Sequence, residues 1–407
     1  MQVLVINSGS SSVKFELFEM DTDRELLKGE IERIGQPDSS IWVETPGSDG
    51  SGQAMERVAA RDHAQAMEVL LQVLRSEGAP VDLRQVLAVG HRVVHGGTHF
   101  SEPTRIDDSV LQGIRELALL APVHIKANVA GIEAALATFP NVCQVAVFDT
   151  AFHRTIPEYA REYALPREVA RAYGIRRYGF HGTSHAYVAR RAAAFLGKPL
   201  SELNLITLHL GNGASVAAIH GGQSVDTSMG MTPLEGLVMG TRCGDVDPAI
   251  PGLLGELTEA SREDVNRMLN FESGLLGLCG ESDMRKVHAL ASAGDADAAL
   301  ALEMYCYRAK KYVGAYLAAL GRVDGIVFTA GVGENDPDVR SRICSGLSAL
   351  GVSLDERANA QSPDSGDSER SIGSRGSRIA VLVIPTDEER EIARAALACA
   401  QPATSER

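Results

Sequence analysis

Two arginines stand in settings that give a solvated charge little purpose. Arg92 lies in His91-Arg92-Val93-Val94-His95-Gly96-Gly97, and Arg242 in Met239-Gly240-Thr241-Arg242-Cys243-Gly244-Asp245. A guanidinium between glycine-rich turns has no helix face to solubilise, so anion binding becomes a natural use for it. His181 sits in similar company, Arg176-Arg177-Tyr178-Gly179-Phe180-His181-Gly182-Thr183-Ser184-His185. Either arginine, taken alone, reads equally as a structural or surface side chain, whereas His181 alone, like His124 after Pro122, reads first as a hydrogen-bonded structural histidine. Three small-residue turns, 7–12, 211–215 and 331–335, each follow a buried apolar run. Such turns bring hydroxyls and backbone N–H groups close to a polyphosphate. The first turn ends at Ser12 with Lys14 just beyond it, yet it is no Walker A loop, since no G-x-x-x-x-G precedes the lysine. The alternative is a plain serine-rich hairpin. Asp149, at the end of the run 144–148, and Glu388, in Pro385-Thr386-Asp387-Glu388-Glu389, are the carboxylates placed to meet a hard cation such as Mg²⁺. From sequence physics alone Glu388 reads first as a helix first-turn acid that favours the dipole.

The whole chain limits what these residues can serve. At about 150 residues per domain, 407 residues imply two or three domains. Apolar content of 44% with 23% charged residues fits a soluble globular protein. A formal charge of −14 argues against nucleic acid or an anionic membrane as partner. The six cysteines form no C-x-x-C pair and no zinc-spaced cluster, as expected of reduced thiols in the cytoplasm. No signal-like segment opens the chain, and no apolar run approaches the roughly 20 residues of a membrane span.

The elements that must position these residues follow from periodicity. Residues 3–6 and 13–17 read as strand, tight turn, strand. Residues 41–52 read as a polar, turn-rich stretch and 62–78 as a helix. Residues 86–94 read as a strand and 109–138 as a helical region interrupted near Pro122. The run 144–148 is a buried strand with Asp149 at its C-terminal end, where open α/β sheets place site residues. The design of residues 3–17 then recurs about 200 positions later, as strand 203–210, turn 211–215 and strand 216–219. Helices are expected at 261–270, 295–320 and 339–350, with strand 325–329 running into the glycine turn 331–335. Residues 361–378 read as a surface loop without chemistry, 381–384 as a strand and 387–400 as a closing helix. Two hairpin-led α/β halves facing one another would enclose a cleft.

Taken together, the motifs resemble those of the acetate kinases, within the actin/Hsp70/sugar-kinase superfold of two duplicated ribonuclease-H-like domains. The resemblance runs end to end. It rests on 5–14, 91–97, Phe148-Asp149-Thr150-Ala151-Phe152-His153, 177–185, His209-Leu210-Gly211-Asn212-Gly213, Gly331-Val332-Gly333-Glu334-Asn335 and 385–389. It implies an N-terminal lobe of 1–150 with 387–407 and a C-terminal nucleotide-binding and dimerisation lobe of 151–386. It further implies a homodimer that uses ATP and Mg²⁺, with Mn²⁺ as a substitute, to make acetyl phosphate and ADP reversibly.

By the same resemblance Asn7 and Glu388 look like metal ligands or their outer shell, and Ser12 and Lys14 like ATP-phosphate contacts. His209, Leu210, Gly211, Asn212 and Gly213 resemble the second phosphate loop. Asp283, Met284 and Arg285, with Gly331, Val332, Gly333, Glu334 and Asn335, resemble the adenosine and ribose contacts. Arg92 resembles the carboxylate anchor, Asp149 the catalytic acid, and His181 with Arg242 the transition-state stabilisers. Val94, Val123, Phe180 and Pro233 match the pocket for the acyl methyl, with His124 beside it.

Elementary chemistry agrees with those roles. A carboxylate with a pKa of about 4 is already ionised at neutral pH and needs no base, so Asp149 is expected to place the cation rather than to take a proton. What remains is alignment and neutralisation of charge on the moving phosphoryl group. Val123 stands where the family usually has Leu, and a methylene shifts discrimination by only about 1–3 kcal/mol, so propionate is the alternative acceptor. Asp387 replaces a usual Asn. An Hsp70- or actin-like ATPase switch is the reading from another class, and it would leave Arg92, His181 and Arg242 without a task.

Overall fold

In the computed structural model, which describes residues 1–9, 11–46, 55–76, 83–361 and 369–401, the chain divides into two compact units. One comprises Met1–Ala151 with the segment from Asp387 onward; the other is Phe152–Thr386. The side chains of Leu119, Pro122 and Val123 lie outside that description.

The first unit is built on β1 (Gln2–Ser8), whose near-continuous apolar run is buried on both faces. Successive side chains alternate across the sheet. Val3 and Val5 join Phe18, Val145 and Ile392 on one face, while Leu4 and Ile6 join Phe15, Met67, Leu70 and Ala135 on the other. The remaining strands are β2 (Ser12–Glu19), β3 (Arg24–Glu32), β4 (Ser40–Glu44), β5 (Glu56–Arg57), β6 (Val86–Val93), β7 (Thr104–Arg105) and β8 (Cys143–Phe148). Their order is β5-β4-β3-β2-β1-β6-β8-β7. β1 pairs antiparallel with β2 and parallel with β6, and β6 pairs parallel with β8. The helix Glu388–Ala400 returns to this unit and closes on β6. Gly90 permits the approach, because a Cβ there would meet Ile392 Cγ2 at 2.8 Å.

The second unit repeats the plan with β9 (Asn204–Leu210), β10 (Ala214–His220), β11 (Gln223–Thr227), β12 (Gly325–Thr329), β13 (Arg370–Ser371) and β14 (Ala380–Val383). The order is β11-β10-β9-β12-β14-β13. Again an antiparallel triplet continues into parallel strands, β9-β12-β14. Leu205, Ile219, Val327 and Leu382 bury against Tyr187, Val188 and Ala192 of the helix Gly182–Leu196.

Five expectations are corrected. Residues 41–52 were expected to be turn-rich, yet Ser40–Glu44 is a strand, because β3 offers an open edge that pairs with it; 47–52 fall outside the described residues. The glycine turn 331–335 is a short helix, Ala330–Asn335. The helix expected over 339–350 is Pro337–Cys344, with Asp336 as its N-cap, and ends at Ser345. Within 361–378, residues 362–368 lie outside the described set, but Arg370–Ser371 pair with β14 and Ile372 is fully buried. The helix expected over 62–78 is His63–Arg75, capped by Asp62, and 77–78 lie outside the described residues.

Candidate active site

The first unit gathers its charged groups at the C-terminal ends of parallel strands. Arg92 is near the end of β6 and Asp149 directly follows β8. The Arg92 guanidinium donates from Nε to Asp149 Oδ1 at 3.1 Å and from Nη2 to Oδ2 at 2.5 Å. Asp149 is 1% exposed and Arg92 26%. Burial opposes the Arg92 charge, but Asp149 and then Glu388 outweigh it and hold the group above the ordinary arginine range. Glu388 Oε2 lies 3.9 Å from Arg92 Nε, at the first position of its helix, where Asp387 caps by accepting from Arg390 N–H at 2.8 Å. Burial, then Glu388, raises the neighbouring Glu389 carboxyl to about 7.

The other predicted residues of this unit are placed as follows. Asn7 is the cross-strand partner of Lys14 at the turn end of the β1–β2 hairpin. Lys14 is more than half exposed and lies 3.9 Å from Glu30. Ser12 begins β2. Val94 is half-buried just past β6, with its N–H bonded to Asn128 Oδ1 at 3.1 Å. His124 is exposed in the first turn of the helix Pro122–Thr138. The Val123 side chain is outside the described part.

In the second unit a cavity of about 830 Å³ opens at the ends of β9 and β12. Gly211, Asn212, Asp283, Met284, Arg285, Gly331, Val332 and Asn335 line it, together with residues the sequence reading passed over, among them Gly240, Ser282, His288, Tyr305 and Asp336. His209, Leu210, Gly213, Gly333 and Glu334 do not line it. Glu334 uses Oε1 to accept from the backbone N–H groups of Ala330 at 2.6 Å and Thr386 at 3.0 Å, which ties the short helix to the chain after β14. Arg340 buttresses the same helix from beneath. It is 1% exposed and donates from Nη1 to the carbonyls of Gly333 and Glu334, both at 2.9 Å. Its other donors reach Asn359 Oδ1 at 2.7 Å and Asn359 O at 2.8 Å. Asp283 caps the helix Met284–Ser292 and pairs with Arg285 at 2.6 Å.

An arginine and a histidine meet at the turn between β9 and β10. A Cβ placed on Gly213 would lie 3.5 Å from both Arg242 Nη1 and His181 Nε2, so these two groups converge on the turn between β9 and β10. Arg242 donates to the Pro233 carbonyl at 3.2 Å. No carboxylate pairs with it among the described residues, and burial alone lowers its pKa. His181 adopts left-handed backbone angles, φ 56° and ψ 27°. A non-glycine residue in that region costs about 1–3 kcal/mol and persists only where its surroundings impose it. Its ring stacks on His209 at 4.2 Å. Phe180, the preceding residue, is buried, and its carbonyl lies 3.0 Å from His153 Nε2.

A half-buried cation with no counter-charge among the described residues is costly. It is the mark of a place prepared for an anion, here beside a cavity of nucleotide size. Sequence reasoning missed Arg340, Asn128 and His288, because nothing local distinguishes them from exposed polar residues on helices. No helix among the described residues is long and apolar enough to cross a membrane.

The chain is similar to known proteins over nearly its whole length. The acetate kinase of Helicobacter acinonychis (strain Sheeba) is 49% identical over 393 residues, covering 97% of this chain and 98% of that protein. The crystal structure of Porphyromonas gingivalis acetate kinase superposes with a TM-score of 0.92 at 42% identity, over 98% of this chain and 100% of that one. A propionate kinase from Francisella tularensis subsp. tularensis SCHU S4 gives 0.90 at 40% identity, over 98% and 99%. The fold is therefore the actin/Hsp70/sugar-kinase-like one that acetate kinase structures share. The Acetokinase family model matches residues 2–394, and the chain belongs to that family of carboxylate-phosphorylating enzymes.

Proposed function

We propose that this chain transfers the terminal phosphoryl group of ATP to acetate, reversibly, giving acetyl phosphate and ADP by direct in-line displacement. The observation that carries the reading is the pair of guanidinium sites. Arg92, held in a two-point geometry by Asp149, suits a planar carboxylate. Arg242, with no carboxylate partner among the described residues, converges with His181 over Gly213, which suits a phosphoryl group in transfer.

Acetate arrives ionised, and one of its oxygens is the nucleophile. Arg92 holds the other end of the carboxylate and so aims the attacking oxygen. Asp149 orients Arg92 and takes no proton. As the bond to the leaving ADP oxygen stretches, charge gathers on the equatorial oxygens of the phosphoryl group. Arg242 and the His181 ring N–H donate to those oxygens. By the family resemblance, Val94, Val123, Phe180 and Pro233 are assigned to the methyl group of acetate, and His124 to the same substrate. Ser12, Lys14 and the 209–213 turn serve the phosphates. The cavity lined by Asp283, Met284, Arg285 and the 331–335 helix takes the nucleoside, with Gly333 and Glu334 shaping that helix from behind.

For the metal the family generally uses, the donor set in the first unit fits Mg²⁺, with Mn²⁺ as a substitute. Asn7 offers a carboxamide oxygen and Glu388 a carboxylate, the sparse oxygen ligation that leaves room for waters and phosphate. When bound, the cation neutralises phosphate charge. We assign the working form to a homodimer in the cytoplasm. Exposed Leu253, Leu257 and Phe271 in the second unit, 51%, 72% and 63% accessible, suit contact with a second copy.

Propionate is a second reading, supported by Val123 and by the propionate kinase that superposes at 0.90. A hydroxamate assay for acyl phosphate with formate, acetate, propionate and butyrate tests both. Acetate is expected to give the highest kcat/KM. ATP consumption that ignores every carboxylate would overturn the proposal.

A further inference from the structure

Behind His181 lies a chain of buried hydrogen-bonding groups with no assigned task. His181 Nδ1 is 2.9 Å from Ser215 Oγ. The same oxygen is 2.8 Å from His185 Nε2, and His185 Nδ1 is 2.7 Å from Thr207 Oγ1. Ser215, His185 and Thr207 are all fully buried. Ser215 can give its one proton to only one of the two ring nitrogens, and with that proton used inside the chain the chain runs in one of two directions.

In one direction Thr207 donates to His185 Nδ1, His185 Nε2–H donates to Ser215, and the Ser215 hydroxyl donates to His181 Nδ1. The His181 proton then sits on Nε2, the atom that approaches Gly213 beside Arg242. In the other direction the proton sits on Nδ1, and Nε2 turns a lone pair toward the anion. An imidazolium would escape that fault. Yet the Arg242 guanidinium from the 239–242 loop converges on the same turn and disfavours a positive charge there, and neither His209, stacked at 4.2 Å from β9, nor His185 from the same helix brings a negative charge to offset it. Burial, then His153 and His209, keeps His185 itself neutral.

We propose that Thr207, His185 and Ser215 form a proton-ordered relay that sets His181 in its Nε2–H tautomer, so that it donates to the phosphoryl group without carrying charge. Ser215 is thus a positioning residue. The inference rests on the phosphoryl-binding role assigned to His181 above.

The test uses the full-length enzyme labelled with ¹⁵N-histidine, with the His181 signals identified by their loss in His181→Gln. Two-bond ¹⁵N–¹H correlations at pH 8 are expected to show the Nε2–H tautomer. Ser215→Ala should give a tautomer mixture and a kcat lower by about 10–100-fold at pH 8. Activity should recover in part as pH falls, since an imidazolium carries the N–H whatever the tautomer. KM values should stay within about threefold, and Ser215→Thr, which keeps the hydroxyl, should keep the tautomer. An Nδ1–H tautomer or an imidazolium in the unsubstituted enzyme overturns the relay, and that spectrum needs no variant to fold. A Ser215→Ala pH profile parallel to that of the unsubstituted enzyme also overturns it. Unchanged kcat in His181→Ala would instead remove the catalytic role of His181 and leave the tautomer result standing.

Discussion

Arg92 and Asp149, 57 residues apart in sequence, form a two-point fork in which both carboxylate oxygens accept from one guanidinium. The fork fixes the plane of the guanidinium and keeps it charged at every working pH. A lysine retains the charge but not the fork. Arg92→Lys forfeits at least one charge-assisted hydrogen bond, worth about 1.5–3 kcal/mol, so KM for acetate should rise about tenfold or more. KM for ATP should move little. Steady-state kinetics varying each substrate checks this, and equal rises in both constants would contradict the anchoring role.

Arg242 has no carboxylate partner among the described residues and loses solvation on burial. Arg242→Ala should therefore lower kcat on the order of 10³-fold while leaving the melting temperature unchanged or slightly higher. Calorimetry beside kinetics separates the two effects. A large drop in melting temperature would mark Arg242 as a structural residue.

Gly213 leaves open the space on which Arg242 and His181 converge. An added methyl would sit in ordinary contact 3.5 Å from each, so Gly213→Ala should fold normally yet displace the phosphoryl group. A loss of about 10²-fold in kcat is expected. Unchanged turnover would mean that the reacting group does not visit this turn.

Glu16 lies among Glu389, Glu25 and Asp387, with Lys28 in partial compensation. Burial, then these neighbours, raises its carboxyl from 4.5 to about 9. Between those values the folded chain holds a proton that the unfolded chain has released, so stability falls as pH rises through this window. Glu16→Gln removes that slope. Thermal melts should show the variant gaining on the unsubstituted protein from pH 5 to pH 9, and a constant difference would refute the linkage.

Arg340 supports the 330–335 helix through carbonyls alone. Arg340→Lys cannot span Gly333, Glu334 and Asn359 together, and should cost at least about 1.5 kcal/mol. ADP affinity by titration calorimetry should weaken, whereas KM for acetate should hold. A variant that binds ADP normally would show that the helix keeps its place without this support.

Much of this was legible locally. The runs 3–6 and 203–210 announce buried strands through unbroken apolar character, and the small-residue turns after them mark where chain and ligand approach. Glycine, β-branched residues and strand ends act through their immediate neighbours, so their message survives without coordinates. The edge strands Ser40–Glu44 and Arg370–Ser371 are polar and exist because an adjacent strand leaves donors and acceptors open. The helix Ala330–Asn335 begins among glycines that local propensity reads as a turn, and forms because the side chains of Glu334 within it and Arg340 beyond it satisfy its backbone. Likewise, sequence alone named Arg92, Asp149, His181 and Arg242, but the Arg92–Asp149 fork, the convergence over Gly213 and the Thr207–His185–Ser215 chain depend on partners brought together by packing. Residue type determines what a group can do; burial and long-range contact decide which partner it meets, which charge it keeps and which proton it holds.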